Sequence, residues 1–549
     1  MNPSKNLQEF ETRVEERLSS WKKMNFSRRL WDKDPTLWAS PQTPGITDRL
    51  GWLNLPELMF DKIPEMEAFA ENVKAEGFTH VVLLGMGGSS LAPEVFQRTF
   101  GNKNGFPELI VLDTTHPVAV NSLEKRLDLD RSLFLVSSKS GTTVEPLSFF
   151  RYFWNKVGQS TKTPGRHFVA ITDPGTPLAS LARERNFRRI FLAYPEVGGR
   201  YSALTEFGLV PAALIGVDIR QLLASARQAV ENNAFNVPED EALGIVLGAA
   251  LGETAKRRDK LTIFTSSSLA GLPDWLEQLI AESTGKDGKG IVPVVNEPSV
   301  PPHEYGKDRL FVSLALVSDQ AAEIEARMKA LEKAGYPAIQ ISLKDKASLG
   351  QEIFRWEIAV AAAGAVLGIN PFNQPDVDLA KELARQAMAE RKEKTLKAAG
   401  IPDAISAADI QELRPALESW KDLSQPGDYI ALQAYLPPTE KITQALQSLR
   451  FDLLKRLKVA TTLGYGPRFL HSTGQLHKGG PNEALVLQLV DEPALELEVP
   501  ETDYSFNTLI RAQALGDYQA LKQRGRRVLR LNLKHDVLGG LERVRALLR

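Results

Sequence analysis

One pattern dominates this chain: a short apolar run ending in small or polar residues, followed by a stretch with helical spacing. From about residue 66 the runs HVVLLG, ELIVLD, SLFLVSS, HFVAITD and RIFLAYP succeed one another in this way. Such runs, apolar without alternation, read as strands buried on both faces, and strands that take turns with helices predict parallel sheets. The theme restarts after Pro238 with LTIFTSS, RLFVSLA and AIQISL. It returns after a Pro/Gly stretch at residues 424–428 with YIALQAYL, ALVLQLV and VLRLNLK. Ahead of all this, Leu7, Phe10, Val14 and Leu18 keep helical intervals. The expected fold class is α/β: two doubly wound parallel sheets, each a three-layer αβα unit, plus a C-terminal α/β extension. The expected segments are 1–50 (helical), 51–235, 236–400 and 401–549.

Composition narrows the function classes. A chain of 549 residues holds several hydrophobic cores with room for ligand sites between them. It has no cysteine, which excludes disulfides, thiolate-ligated zinc, iron–sulfur clusters and a cysteine nucleophile. Lys and Arg total 67 against 68 Asp and Glu, so the basic excess that nucleic-acid binding requires is missing. The longest apolar run, Ile358 to Ile369, falls short of the ~18 residues that suggest a membrane span. The N-terminus has no apolar signal-peptide core. These features point to a cytoplasmic enzyme with neither nucleic acid nor membrane as partner.

In open parallel sheets ligands sit outside the carboxyl ends of the strands. The first strand runs into GMGGSSL, where Gly85, Gly87 and Gly88 let backbone N–H groups approach an anion and Ser89 and Ser90 add hydroxyls near a helix start. A dinucleotide loop is the competing reading, with Asp113 as ribose ligand, but Ser90 stands where the third glycine belongs. The third strand ends in SSKSGTTVEP, whose Ser138, Ser140, Thr142 and Thr143 can surround a phosphate monoester with Lys139 nearby. Alone, this would pass for a solvated loop capping a helix. Two hydroxyl-rich loops at adjacent strand ends favour the phosphate site.

Candidate reacting groups follow. Arg200 comes after a glycine pair in GGRYS, although arginines in surface turns are common. Glu282 lies late in an apolar helix, LEQLIAESTGK, where burial can raise a carboxyl toward the range of a general base; solvated helix-end glutamates are the commoner case. NQPDVDLAK offers Gln374 and Lys381, which spacing alone does not single out.

Together GMGGSSL, SKSGTT, GGRYS, ESTGK and NQPDVDLAK, in this order over roughly 300 residues, resemble the glucose-6-phosphate isomerase family. RLWDKDPTLW, RLGWL and LGYGPRFLHSTGQLHKGGPN are more similar to the isomerase half of transaldolase–isomerase fusion proteins. With RLWDKD so near the start, no transaldolase half is expected ahead of it. The resemblance implies two sugar isomerase domains, at 51–235 and 236–400, and a sugar-phosphate substrate with no metal or redox cofactor. It makes Gly87, Gly88, Ser89, Ser138, Lys139, Ser140, Thr142 and Thr143 the phosphate-loop residues. It makes Arg200 the cation beside an enediol, Glu282 the base, Gln374 a sugar contact and Lys381 part of the ring-opening apparatus.

The ring-opening histidine is where the sequence departs from the family. His303 has the family's spacing after the glutamate but stands in PPHEYGKD; His471 has the family's context, HSTGQ, far downstream. Context carries more information than one spacing, so His471 is preferred. A homodimer is implied by the resemblance. A mannose 6-phosphate or dual-specificity isomerase, and a non-catalytic sugar-phosphate-binding regulator, are the alternatives.

Overall fold

The computed structural model describes residues 4–40, 43, 45–393 and 403–549. The chain opens with a three-residue strand, β1 (Ser4–Asn6), and the helix Glu11–Lys23, whose Val14, Leu18 and Trp21 are buried. The first sheet follows: β2 (His80–Leu84), β3 (Glu108–Leu112), β4 (Ser132–Ser137), β5 (Phe168–Thr172) and β6 (Arg189–Leu192). Its spatial order is β3-β2-β4-β5-β6, all parallel. The central strand β4 is buried at every residue, as a strand covered by helices on both faces must be.

The second sheet comprises β7 (Lys260–Thr265), β8 (Val292–Val295), β9 (Arg309–Leu316) and β10 (Ala338–Leu343), in the order β1-β10-β9-β7-β8. Strand β1 pairs antiparallel on β10; the others are parallel. The apolar run from Ile358 lies in the helix Leu349–Leu367, buried almost all round in the core between the first two units. Among the described residues, no helix is long and apolar enough to cross a membrane.

The C-terminal extension is itself a complete parallel sheet. It contains β11 (Ile405–Ser406), β12 (Tyr429–Tyr435), β13 (Ala460–Tyr465), β14 (Ala484–Val490) and β15 (Arg527–Asn532), in the order β11-β15-β14-β12-β13. This repeats the order of the second sheet, including a short edge strand drawn from earlier in the chain. Small side chains, Ala281, Ala431, Ala460 and Ala484, let the second and third units meet closely. Arg450 crosses that junction to donate to the carbonyls of Val295 and Asn296 (both 2.9 Å). Arg309 grips Glu297 in a two-pronged pair (2.9 and 3.1 Å), and Glu297 also accepts from the Thr461 amide (2.7 Å).

All eleven runs expected as strands are strands. The four strands that periodicity missed are β1, β8, β11 and β13: two are tiny edges, VPVV contains a proline, and ATTLGY is half polar. The expected boundary between residues 400 and 401 lies outside the described residues.

Candidate active site

A cleft of about 480 Å³ opens where the carboxyl ends of the first sheet face the helix Leu272–Thr284 and the turn after β13. The glycine-serine segment turns tightly at Gly87–Ser89, with φ of +55° at Gly87. A Cβ at Gly88 would lie 1.9 Å from the Gly199 carbonyl oxygen, so only glycine lets this turn nest against the one that carries Arg200. The loop after β4 adds Ser140 and Thr143 to the cleft wall. Ser138 is buried beneath them and donates to Thr143 Oγ1 (3.0 Å), whereas Thr142 is exposed and shares a hydrogen bond with Ser140 (3.0 Å). Ser138 and Thr142 thus shape the loop without lining the cleft. Lys139 does line it, with its ammonium paired to Asp173 and within reach of the Tyr194 carbonyl (3.3 Å). Burial lowers the Lys139 pKa against the opposing pull of Asp173.

Arg200 is 3% exposed and almost fully committed. It donates to Ser283 Oγ (2.8 Å), Gln374 Oε1 (2.9 Å) and the carbonyls of Pro371 (2.7 Å) and Asn373 (2.9 Å). Its remaining edge lies 3.5 Å from Glu282 Oε2. Glu282 is buried near the end of its helix and accepts from Gln278, one turn earlier, at 3.1 Å. Gln374 reaches the site on a loop pinned by Lys286, which donates to the carbonyls of Asn370 (2.8 Å) and Asn373 (2.6 Å). Burial, with Arg200 close by, drives the Lys286 pKa well below that of an ordinary lysine.

His471 ends a single turn, Arg468–His471, that follows β13. Its Nε2 lies 2.9 Å from Glu145 Oε1, which also accepts from Gln513 (2.7 Å). Burial alone would raise the Glu145 carboxyl; His471 and Lys381 outweigh it and hold the pKa below the ordinary value. The His471 carbonyl is fixed by Gln278 (2.8 Å), which therefore touches both the Glu282 carboxylate and the histidine turn. Lys381 lines the same cleft from the helix Val377–Glu393. His303 lies elsewhere, with its side chain 78% exposed beside Glu304.

One cleft thus gathers Gly87, Gly88, Ser89, Lys139, Ser140, Thr143, Arg200, Glu282, Gln374, Lys381 and His471. Asp113, the ribose candidate of the dinucleotide reading, is already engaged by Arg468 (2.9 Å).

The phosphoglucose isomerase family model matches residues 63–299. The glucose-6-phosphate isomerase of Carboxydothermus hydrogenoformans is 30% identical over 413 residues, covering 63% of this chain and 88% of that protein. The chain belongs to the glucose-6-phosphate isomerase family. The glucose-6-phosphate isomerase of Thermus thermophilus is also 30% identical, over 62% of this chain and 90% of its own length. Among solved structures, a hypothetical protein from Thermus thermophilus superposes with a TM-score of 0.60 at 27% identity, over 70% of this chain and 100% of that one. A glucose-6-phosphate isomerase from Chlamydia trachomatis shares the fold with a TM-score of 0.54 at 19% identity, over 67% and 79% of the two chains.

Sequence reasoning passed over Glu145, Gln278, Ser283, Asp173 and Arg49, all of which touch the cleft or the groups that line it. Gln278 had a signal, since it stands four residues before Glu282 on one helix face. Glu145 had a misleading one: a glutamate in the first turn of a helix reads as a partner of the helix dipole.

Proposed function

We propose that this chain interconverts glucose 6-phosphate and fructose 6-phosphate, by ring opening and a cis-enediol proton transfer. The observation that carries the reading is the convergence of Glu282, Arg200 and the His471–Glu145 pair on one cleft that also holds the two hydroxyl-rich loops. Ser89, Ser140, Thr143 and the amides of the Gly87–Ser89 turn bind the phosphate, and that binding energy positions the reacting carbons. His471, oriented by Glu145 and with Lys381 close by, moves protons between the ring oxygen and the anomeric hydroxyl. Glu282 then takes the proton from C2 and returns it to C1. Arg200 needs no reorganisation to meet the enediolate charge, because its other donors are already tied to protein groups.

The groups invoked all come from one chain, which supports catalysis by a single copy; a homodimer would then add stability rather than site residues. A sugar phosphate in the cytoplasm, and no nucleic acid or membrane, is the partner in this reading. The test is a coupled assay of fructose 6-phosphate formation, with mannose 6-phosphate in parallel. Glu282→Gln is expected to lower kcat by ~10²- to 10⁴-fold. His471→Asn should slow turnover of the pyranose, and His303→Asn should leave it unchanged. A Glu282→Gln enzyme of wild-type rate, or loss of activity on replacing His303 alone, would overturn the assignment.

A further inference from the structure

A second cavity, of about 660 Å³, shares three walls with the catalytic cleft. On the turn Arg468–His471, Arg468 and Phe469 face this cavity while His471 faces the cleft. On the helix Leu272–Thr284, Asp274 and Glu277 face the cavity while Gln278 and Glu282 face the cleft. Leu91 and Glu94 stand in the same relation to Gly87–Ser89. The cavity therefore lies directly behind the histidine and glutamate of the proposed reaction.

Its cationic side chains are already committed. Arg468 pairs with Glu94, Asp113 (2.9 Å) and Asp274 (3.5 Å). Arg98 pairs with Glu94 (2.6 Å), Arg126 pairs with Glu108, and Arg450 is bound to the carbonyls at the end of β8. Two acceptors, by contrast, lack donors among the described residues. Glu277 is half-buried on the cavity wall, with no protein donor to its carboxyl among the described residues, and Gln447 Oε1 is buried without a partner. The lining also includes the apolar side chains of Leu91, Leu112, Leu123 and Leu463. Unused acceptors in a cavity that also has apolar lining favour a ligand with N–H donors on an aliphatic chain.

We propose that this cavity binds a small organic ammonium carried on an aliphatic chain, accepted by the Glu277 carboxylate and Gln447, and that its occupancy acts on His471 through the Arg468–His471 turn. Burial, and then the charge of Asp274, push the Glu277 carboxyl up to about 8, against the pull of Arg450 and Arg468. At pH 7 the unliganded protein thus holds the neutral acid. On binding, the acid releases its proton to solvent and the ammonium donates to the carboxylate formed. Asp113 and Asp274 are also raised, mainly by burial, so they too favour an incoming positive charge.

The probe is 1,5-diaminopentane, titrated calorimetrically into the full chain at pH 7 in two buffers of different ionisation enthalpy. The expected result is binding with release of about one proton per ligand, with no comparable heat from 1,5-pentanediol. Glu277→Gln should weaken binding by about tenfold or more and abolish proton release, and Gln447→Leu should weaken it in the same direction. Basal isomerase activity of both variants should match the wild type. No binding at 10 mM (about the weak limit for a built site), equal binding of the diol, or unchanged affinity in Glu277→Gln each overturns the site. The kinetic arm rests on the isomerase reading: the diamine should alter kcat in the wild type and not in Glu277→Gln. Diamine binding by a chain that isomerises no sugar phosphate would defeat the functional reading and leave the site standing. Binding that leaves turnover unmoved would refute the coupling through the turn.

Discussion

The close nesting of the Gly88 and Arg200 turns gives the sharpest test of the site, through Gly88→Ala. The added methyl would lie 1.9 Å from the Gly199 carbonyl oxygen, 2.4 Å from its carbon and 3.2 Å from the Arg200 amide. Both sides of this contact are backbone, so no side chain can swing away. Restoring an ordinary contact of about 3.5 Å requires the two turns to part by roughly 1.5 Å. Arg200 would move with its turn, yet its guanidinium is held by four bonds of 2.7 to 2.9 Å to Ser283, Gln374, Pro371 and Asn373. A misplacement of this size costs about 10²-fold in rate, and overpacking costs about 1–3 kcal/mol in stability. The assays are kcat/KM for fructose 6-phosphate formation and urea unfolding. The neighbouring Gly199→Ala serves as the stability control, because a Cβ there meets nothing within 4 Å; its stability should stay within about 0.5 kcal/mol of wild type. A folded Gly88→Ala enzyme with kcat/KM within about threefold of wild type (under 1 kcal/mol of transition-state free energy) would refute the argument that the turns must touch.

Two further substitutions probe buried carboxyls. Glu145→Gln keeps the shape beside His471 and removes its charge, so kcat should fall about tenfold or more with KM little changed, and Glu145→Asp should recover part of the loss. Because the folded pKa of Glu145 is depressed, its stabilisation is complete above its unfolded value near 4.5 and is lost as pH falls through the folded pKa. Urea melts of Glu145→Gln below pH 4.5 should therefore show a shallower acid slope than the wild type. Glu357 presents the opposite case: both oxygens are buried without partners, and burial raises its pKa well above the usual 4.5. Its cost begins at the unfolded pKa and grows by ~1.4 kcal/mol per pH unit up to the folded one. Glu357→Gln should thus gain on the wild type between pH 5 and pH 7, and parallel stability curves would sink this reading.

The fold was legible because strands buried on both faces leave an unbroken apolar signature. The third unit was harder to size. Its runs at β12, β14 and β15 were plain, but β13 reads ATTLGY, with Thr461 bonded across the junction to Glu297 of the second unit. Thr461 is polar because the interior it enters is polar: Glu297, Arg309 and Arg450 meet there; Thr462 instead turns its hydroxyl to the Ile430 carbonyl of β12 (3.5 Å). Hydrophobic periodicity cannot report a strand whose burial is satisfied by hydrogen bonds, so the extension looked looser than the five-stranded sheet it is.

The site divides along a similar line. Loops that bind phosphate carry their chemistry within a few consecutive residues, so GMGGSSL and SKSGTT were readable as they stood. Partners brought together by topology were not: Glu145 meets His471 across 326 residues, and Arg200 meets Gln374 across 174. The histidine shows why context outperformed spacing. HSTGQ does more than present an imidazole, because Gln475, four residues after His471, donates to the Gly285 carbonyl (3.0 Å) and to Asp376 (2.7 Å) and accepts from the Asp376 amide (2.9 Å). It clamps the ESTGK segment to the NQPD segment, the two stretches that carry Glu282 and lead to Lys381. Such a clamp depends on the local order of histidine and glutamine, and not on how many residues separate it from the glutamate. Spacing is free to change when the supporting strand comes from another sheet; the short motif is not, since its histidine and its glutamine each have a separate partner.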